Sequence, residues 1–148
     1  MNRSTFPARV TLWINRGLAL VITVLLFTLQ PILDWYATYR VFDQSERIAL
    51  TVSFYLCALV TYLALWQFDR LLNNVLHARV FVKENVTRLR IIRWCCAAVS
   101  LICLPAACVY IPLIFMVVIM GFLCLALTVV VQVMKAAVAI REENDLTI

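Results

Sequence analysis

Three long stretches without Asp, Glu, Lys or Arg dominate the pattern of polar and apolar positions. They cover residues 17–33, 48–68 and 94–134. A hydrocarbon core of about 30 Å needs about 20 residues of α-helix, so each of the first two stretches predicts one membrane crossing. The first crossing also takes in residues 12–16, and Arg16 extends its charged group to the headgroups.

The third charge-free stretch is too long for a single crossing. Its 41 residues would reach about 60 Å as one helix, twice the core thickness, so the chain must turn back within it. Pro112 follows the interfacial aromatic Tyr110 and suits the first turn of a new helix, which places the reversal there. Pro105 stays inside the third helix, where it removes a backbone hydrogen bond.

The pattern therefore predicts an all-α membrane protein with one domain and four transmembrane helices. These helices cover about residues 11–33, 48–68, 91–109 and 112–135, and they leave an outer loop at 34–47, an inner loop at 69–90 and a tail at 136–148. A β-barrel is excluded because the stretches are apolar all round and do not alternate.

The inner loop has helical periodicity of its own. Its apolar side chains recur at helical spacing at Phe68, Leu71, Leu72, Val75 and Leu76. We expect an amphipathic extension of the second helix, a turn near residues 77–81 and a second helical arm that leads into the third helix.

Composition agrees with the membrane class, since 65% of the 148 residues are hydrophobic and 14% are charged. Soluble domains have about 45–50% apolar and about 25% charged residues. Eleven of the 13 Lys and Arg residues fall on one predicted side, which predicts that both termini are cytoplasmic. These eleven are Arg3, Arg9, Arg16, Arg70, Arg79, Lys83, Arg88, Arg90, Arg93, Lys135 and Arg141.

The net charge of +5 is explained by the concentration of basic residues on the cytoplasmic side, where they are attracted to the anionic lipid bilayer. No groove-reading or base-stacking motif accompanies the charge, so we expect no direct contact with nucleic acid. Four helices form a narrow bundle, so a role in transport would require a homo-oligomer.

Signatures of catalysis and of metal binding are missing from the sequence. The six cysteines form no Cys-x-x-Cys pair, His77 is the single histidine, and no charge interrupts the apolar stretches. We therefore expect no enzymatic activity, no cofactor and no metal. The acidic residues at the end of the chain oppose the helix dipole, which suggests a partner for the tail.

Three segments resemble the four-helix bacterial membrane family called domain of unknown function twenty-nine seventy-five. They are residues 71–75 (LLNNV), 80–90 (VFVKENVTRLR) and 141–148 (REENDLTI). The sequence departs from the family pattern at Ala78, Val82, Arg93 and Ala137, and the side-chain cap expected at position 82 is lost.

The resemblance implies a location in the bacterial cytoplasmic (inner) membrane and docking of a small helix-turn-helix transcription regulator on the cytoplasmic segments. We expect a non-enzymatic interaction module; the alternative is a small permease or an immunity or export accessory protein that acts as an oligomer. The candidate interaction residues are Phe81, Glu84, Asn85, Leu89, Arg90, Glu142, Glu143, Asn144, Asp145, Leu146 and Thr147.

Overall fold

The computed structural model of the chain describes residues 6–39, 43–77 and 79–147. This part of the chain forms four α-helices: α1 (Phe6–Ala37), α2 (Gln44–Leu76), α3 (Lys83–Val109) and α4 (Leu113–Leu146). Each helix is long and apolar enough to cross a membrane. The predicted all-α class with four membrane-spanning helices is confirmed. Arg3, Arg40 and Ala78 lie outside the described residues, as does the side chain of Asp145.

The helices run further than the charge-free stretches that predicted them. α1 continues through Pro31 to Ala37, and α2 begins at Gln44, so most of the expected outer loop at 34–47 is helical. α4 likewise continues through most of the expected tail. Charge marks where the hydrocarbon core ends, whereas the helical backbone continues through the headgroup layer, where polar side chains are solvated.

The chain reverses direction at each end of α3. α2 ends at Leu76 and α3 starts at Lys83, which leaves the turn at residues 77–82. At the other end of α3, the helix stops at Val109, and Pro112 directly precedes α4.

The helices pack in the order in which they follow one another along the chain. Within the described residues, Cα atoms come within 8 Å of each other between α1 and α2, between α2 and α3, and between α3 and α4, but between no other pair. Consecutive helices therefore run back and forth, and α1 joins the others through α2. One end of the bundle holds the turn between α2 and α3 together with the C-terminal part of α4. We call it the basic end.

A small cluster of buried apolar side chains joins α3 and α4 near the basic end. It contains Val86 and Leu89 from α3, and Val131 and Val138 from α4. Leu71 of α2 packs against this cluster. The cluster therefore brings the start of α3, the end of α2 and the extension of α4 into one packed unit.

Hydrogen bonds and an ion pair link α1 to α2. The buried Asn15 donates from Nδ2 to the carbonyl oxygen of Leu65 at 3.1 Å, which lies on the next helix. One residue further along, Arg16 pairs with Asp69 at 3.3 Å. Lipid tails are as apolar as leucine, so polar bonds of this kind and close packing hold membrane helices together.

Substituting Leu89 by Ala should lower the free energy of unfolding by about 2 kcal/mol or more, because the change opens a cavity in the buried cluster. Leu101→Ala is the matched control in the same helix, since that side chain is 71% exposed. We expect the control to change stability by less than about 0.5 kcal/mol. Unfolding in mixed detergent micelles measures both, and equal losses would contradict a packed core at the basic end.

Candidate interaction face at the basic end

Asn85 is the most deeply buried polar side chain of the basic end, with 1% of its surface exposed. Its Nδ2 donates to the carbonyl oxygens of Arg79 and Val80, at 2.8 and 2.9 Å. Its Oδ1 accepts a hydrogen bond from Nδ2 of Asn74 at 2.8 Å. One amide in the first turn of α3 therefore binds both the turn and the end of α2.

Backbone hydrogen bonds complete the same turn. The N–H of Arg79 donates to the carbonyl oxygen of Asn74 at 2.9 Å, which is the six-to-one bond of a Schellman-type helix end. Val82 precedes α3 in an extended conformation and provides no side-chain cap. The N–H of Asn85 donates to the carbonyl oxygen of Val82 at 3.1 Å. Asn85 thus stabilises the start of a helix whose cap position holds an apolar residue.

Charged and polar pairs connect neighbouring helices at this end. Arg88 of α3 donates from a guanidinium nitrogen to Oε1 of Gln67 of α2 at 3.2 Å, and it also pairs with Glu84 one turn earlier. Lys83 of α3 pairs with Glu142 of α4 at 2.9 Å. The Lys83–Glu142 pair is exposed on both sides, and a pair of this kind contributes at most about 1 kcal/mol, so it sets register more than stability.

The structure brings the loop segment and the end of α4 together. The two segments are joined by the Lys83–Glu142 pair and by the apolar cluster, which contains both Val86 and Val138. Most of the predicted interaction residues have exposed side chains: Phe81, Glu84, Arg90, Glu142, Glu143, Asn144, Leu146 and Thr147.

Asn85 and Leu89 are the exceptions among these predicted residues. The side-chain amide of Asn85 forms its hydrogen bonds within the chain, and Leu89 belongs to the apolar cluster. Their side chains are therefore not available to a partner, and both shape the surface from within.

Sequence reasoning missed Asn74, Gln67 and Arg88 as parts of this arrangement. Asn74 lies within the LLNNV segment, but that segment served only for the family resemblance. The available signal was a pair of asparagines, at positions 74 and 85, on either side of a predicted turn. An amide pair in that position can close the turn, since each side chain both donates and accepts hydrogen bonds.

A second feature lies between the helices, within the membrane-spanning part. A cavity of about 250 Å³ is bordered by all four helices, and Cys57 and Cys103 line it with their sulfur atoms 3.6 Å apart. Ser53 and Thr61 add hydroxyl groups, and the other lining residues are apolar. Within the described part of the chain, no three His, Cys, Asp or Glu residues gather as ligands for a metal.

The four apolar helices and their polar connections define a multi-pass membrane protein. The model of the family described as Protein of unknown function (DUF2975) matches residues 10–148. The chain belongs to that family, which confirms the resemblance found in the sequence. No curated protein and no solved structure matches the chain.

Replacing Asn85 by Ala should lower the free energy of unfolding by about 1–3 kcal/mol, because the amide of Asn74 and two turn carbonyls lose their partner. Asn73→Ala is the control, since that side chain is exposed beside the same turn. We expect the control to remain within about 0.5 kcal/mol of the wild type. Stability is measured by unfolding in mixed micelles, with trypsin cleavage at Arg79 as a local readout.

The hydrogen bond between the two asparagines adds a second condition. Asn74→Ala combined with Asn85→Ala should cost less than the sum of the single changes, because both remove the same bond. Fully additive losses, or an Asn85→Ala protein as stable as Asn73→Ala, would contradict the role assigned to Asn85.

Proposed function

We propose that this protein is a non-enzymatic membrane module that offers its basic end to a cytoplasmic protein partner. The observation that carries the proposal is the projection of α4. The apolar stretch ends at Met134 and the helix continues to Leu146, about 18 Å further at about 1.5 Å per residue. The headgroup layer is only about 5–8 Å thick on each side, so the last turns of α4 reach water.

The projecting helix is packed at its base, and its described side chains are exposed at its tip. Val138 is buried in the apolar cluster, and Glu142 pairs with Lys83. In the last turn, the side chain of Leu146 is 88% exposed. Phe81, on the turn at the same end, is exposed as well, so this end offers two apolar side chains that a protein partner could cover.

Charge supports a cytoplasmic position for this face. Of the 11 Lys and Arg residues that the structure describes, ten belong to segments on the same side as the basic end in the back-and-forth order of the helices. We therefore place the protein in the bacterial cytoplasmic membrane with both termini in the cytoplasm. A small helix-turn-helix transcription regulator is the proposed partner.

The alternative, a small permease or accessory protein acting as an oligomer, has less support. The cavity between the helices is lined by apolar, hydroxyl and thiol groups, with no charged residue among those that line it. A path for an ion or a polar solute is usually lined by charged side chains or by several polar groups. This alternative stays a prediction, and solute flux into reconstituted vesicles would favour it.

Changing Glu143, Asn144 and Leu146 together to Ala should abolish recovery of a specific partner when the full chain is purified from its native host in mild detergent. All three residues are exposed at the tip of α4, so the fold should not suffer. The control changes Asp43, Gln44 and Ser45 to Ala, three exposed residues at the opposite end. Both variants are compared with the wild type at matched abundance in the membrane, by quantitative mass spectrometry of the recovered proteins.

A protein recovered with the wild type and the control, and lost with the tip variant, is the expected result. The proposal fails if the tip variant recovers the same proteins as the wild type.

Orientation has a separate test. Trypsin added to inverted membrane vesicles should cleave within residues 79–83, because Arg79 is exposed on the turn and Lys83 is exposed at the start of α3. Right-side-out vesicles should protect this segment. Cleavage there in right-side-out vesicles would reverse the assigned topology, whatever the outcome of the partner experiment.

A further inference from the structure

A surface groove runs between the start of α3 and the extension of α4 at the basic end. Its volume is about 270 Å³, many times the roughly 30 Å³ that one water molecule occupies in the liquid. Val86 and Val138 form an apolar floor, and Ala139 leaves space on the α4 side. The charged residues that line the groove are Lys83, Arg90, Lys135 and Glu142.

These charges do not cancel. Glu142 pairs with Lys83 at 2.9 Å, so those two residues neutralise each other. Arg90 and Lys135 are exposed, and neither is held in an ion pair by any acidic residue that the structure describes. The groove therefore carries two uncompensated positive charges, one from each of two neighbouring helices.

Each cation lies within one helical turn of an end of the same charge-free stretch. Arg90 is one helical turn before Trp94, where the stretch begins, and Lys135 directly follows Met134, where it ends. Trp94 is 63% exposed, as expected for an indole ring in the headgroup region. Arg90 and Lys135 therefore lie at the depth of the lipid phosphates, on the same side of the bilayer.

We infer that this groove binds the headgroup of an anionic phospholipid. The guanidinium of Arg90 can form paired hydrogen bonds with phosphate oxygens, and the ammonium of Lys135 provides a point charge opposite it. Basic pockets between helices at a membrane surface bind anionic headgroups in this way. The inference is independent of the proposed protein partner, and it holds for either orientation in the membrane.

The test measures phospholipid bound to the full-length protein by native mass spectrometry, after release from nanodiscs of mixed phosphatidylglycerol and phosphatidylcholine. The wild type should retain phosphatidylglycerol in preference to phosphatidylcholine. Arg90→Gln with Lys135→Gln should weaken the retention of phosphatidylglycerol about fivefold for each substitution. Arg79→Gln with Arg141→Gln is the matched control, because it removes the same charge from exposed residues outside the groove.

A second variant keeps every charge and blocks the space. Ala139→Leu adds a larger side chain at an exposed position that lines the groove. It should reduce the retention of phosphatidylglycerol and leave helix content and unfolding unchanged. This variant tests the groove even if removal of both cations disturbs the fold.

Free phosphate is the remaining source of the same chemistry. Inorganic phosphate added to the protein in phosphatidylcholine nanodiscs should neither stay bound nor shift thermal unfolding. Retention of inorganic phosphate that depends on Arg90 and Lys135 would overturn the assignment to a lipid. Equal losses of phosphatidylglycerol in the groove variant and the Arg79–Arg141 control would overturn the groove itself, since general surface charge would then explain the binding.

Discussion

The buried amide of Asn85 is the interaction on which the geometry of the basic end depends. It joins the last turn of α2 to the connecting turn and to the first turn of α3. With these three segments locked, Val86 and Leu89 face α4, and the extension of α4 has a fixed surface to pack on. An unsatisfied buried amide is costly, so alternative conformations of the turn are strongly disfavoured.

The membrane-spanning part is held together by other means. Between the helices there is no water to expel, so apolar burial alone does not favour association in lipid. Short polar bonds from a side chain of one helix to the backbone of the next provide specificity, as from Asn15 to Leu65 and from Ser100 to the carbonyl oxygen of Val117 at 3.1 Å. Small residues such as Ala58 and Ala106 are buried and allow close approach. The basic end is therefore stabilised by a buried apolar cluster, as a soluble protein is, whereas the membrane-spanning part depends on polar bonds and close packing between helices.

Much of the fold was predictable, because it follows from the solvent. Charge-free stretches of sufficient length require helices in a bilayer, and Pro112 placed the reversal between α3 and α4. The end of α1 was not predictable in this way, since Pro31 lies inside the helix and charge reports only where the hydrocarbon core stops. The region that forms the candidate face was predicted, but not which of its residues are exposed and which are buried. Asn85 looked like a surface residue because its partners, Asn74 and two backbone carbonyls, are defined only once the turn has formed.

The packing of each helix against its neighbours in the chain has a consequence for biogenesis. Helices enter the membrane in the order of synthesis, and a helix whose partner was made immediately before it need not wait for a later segment. Contacts between neighbouring segments also require little loop closure, which favours rapid folding. Each of α2, α3 and α4 can therefore dock on the helix made before it as it enters the membrane. Assembly of these four helices should proceed along the chain as synthesis does, without a late rearrangement to join α1 to α4.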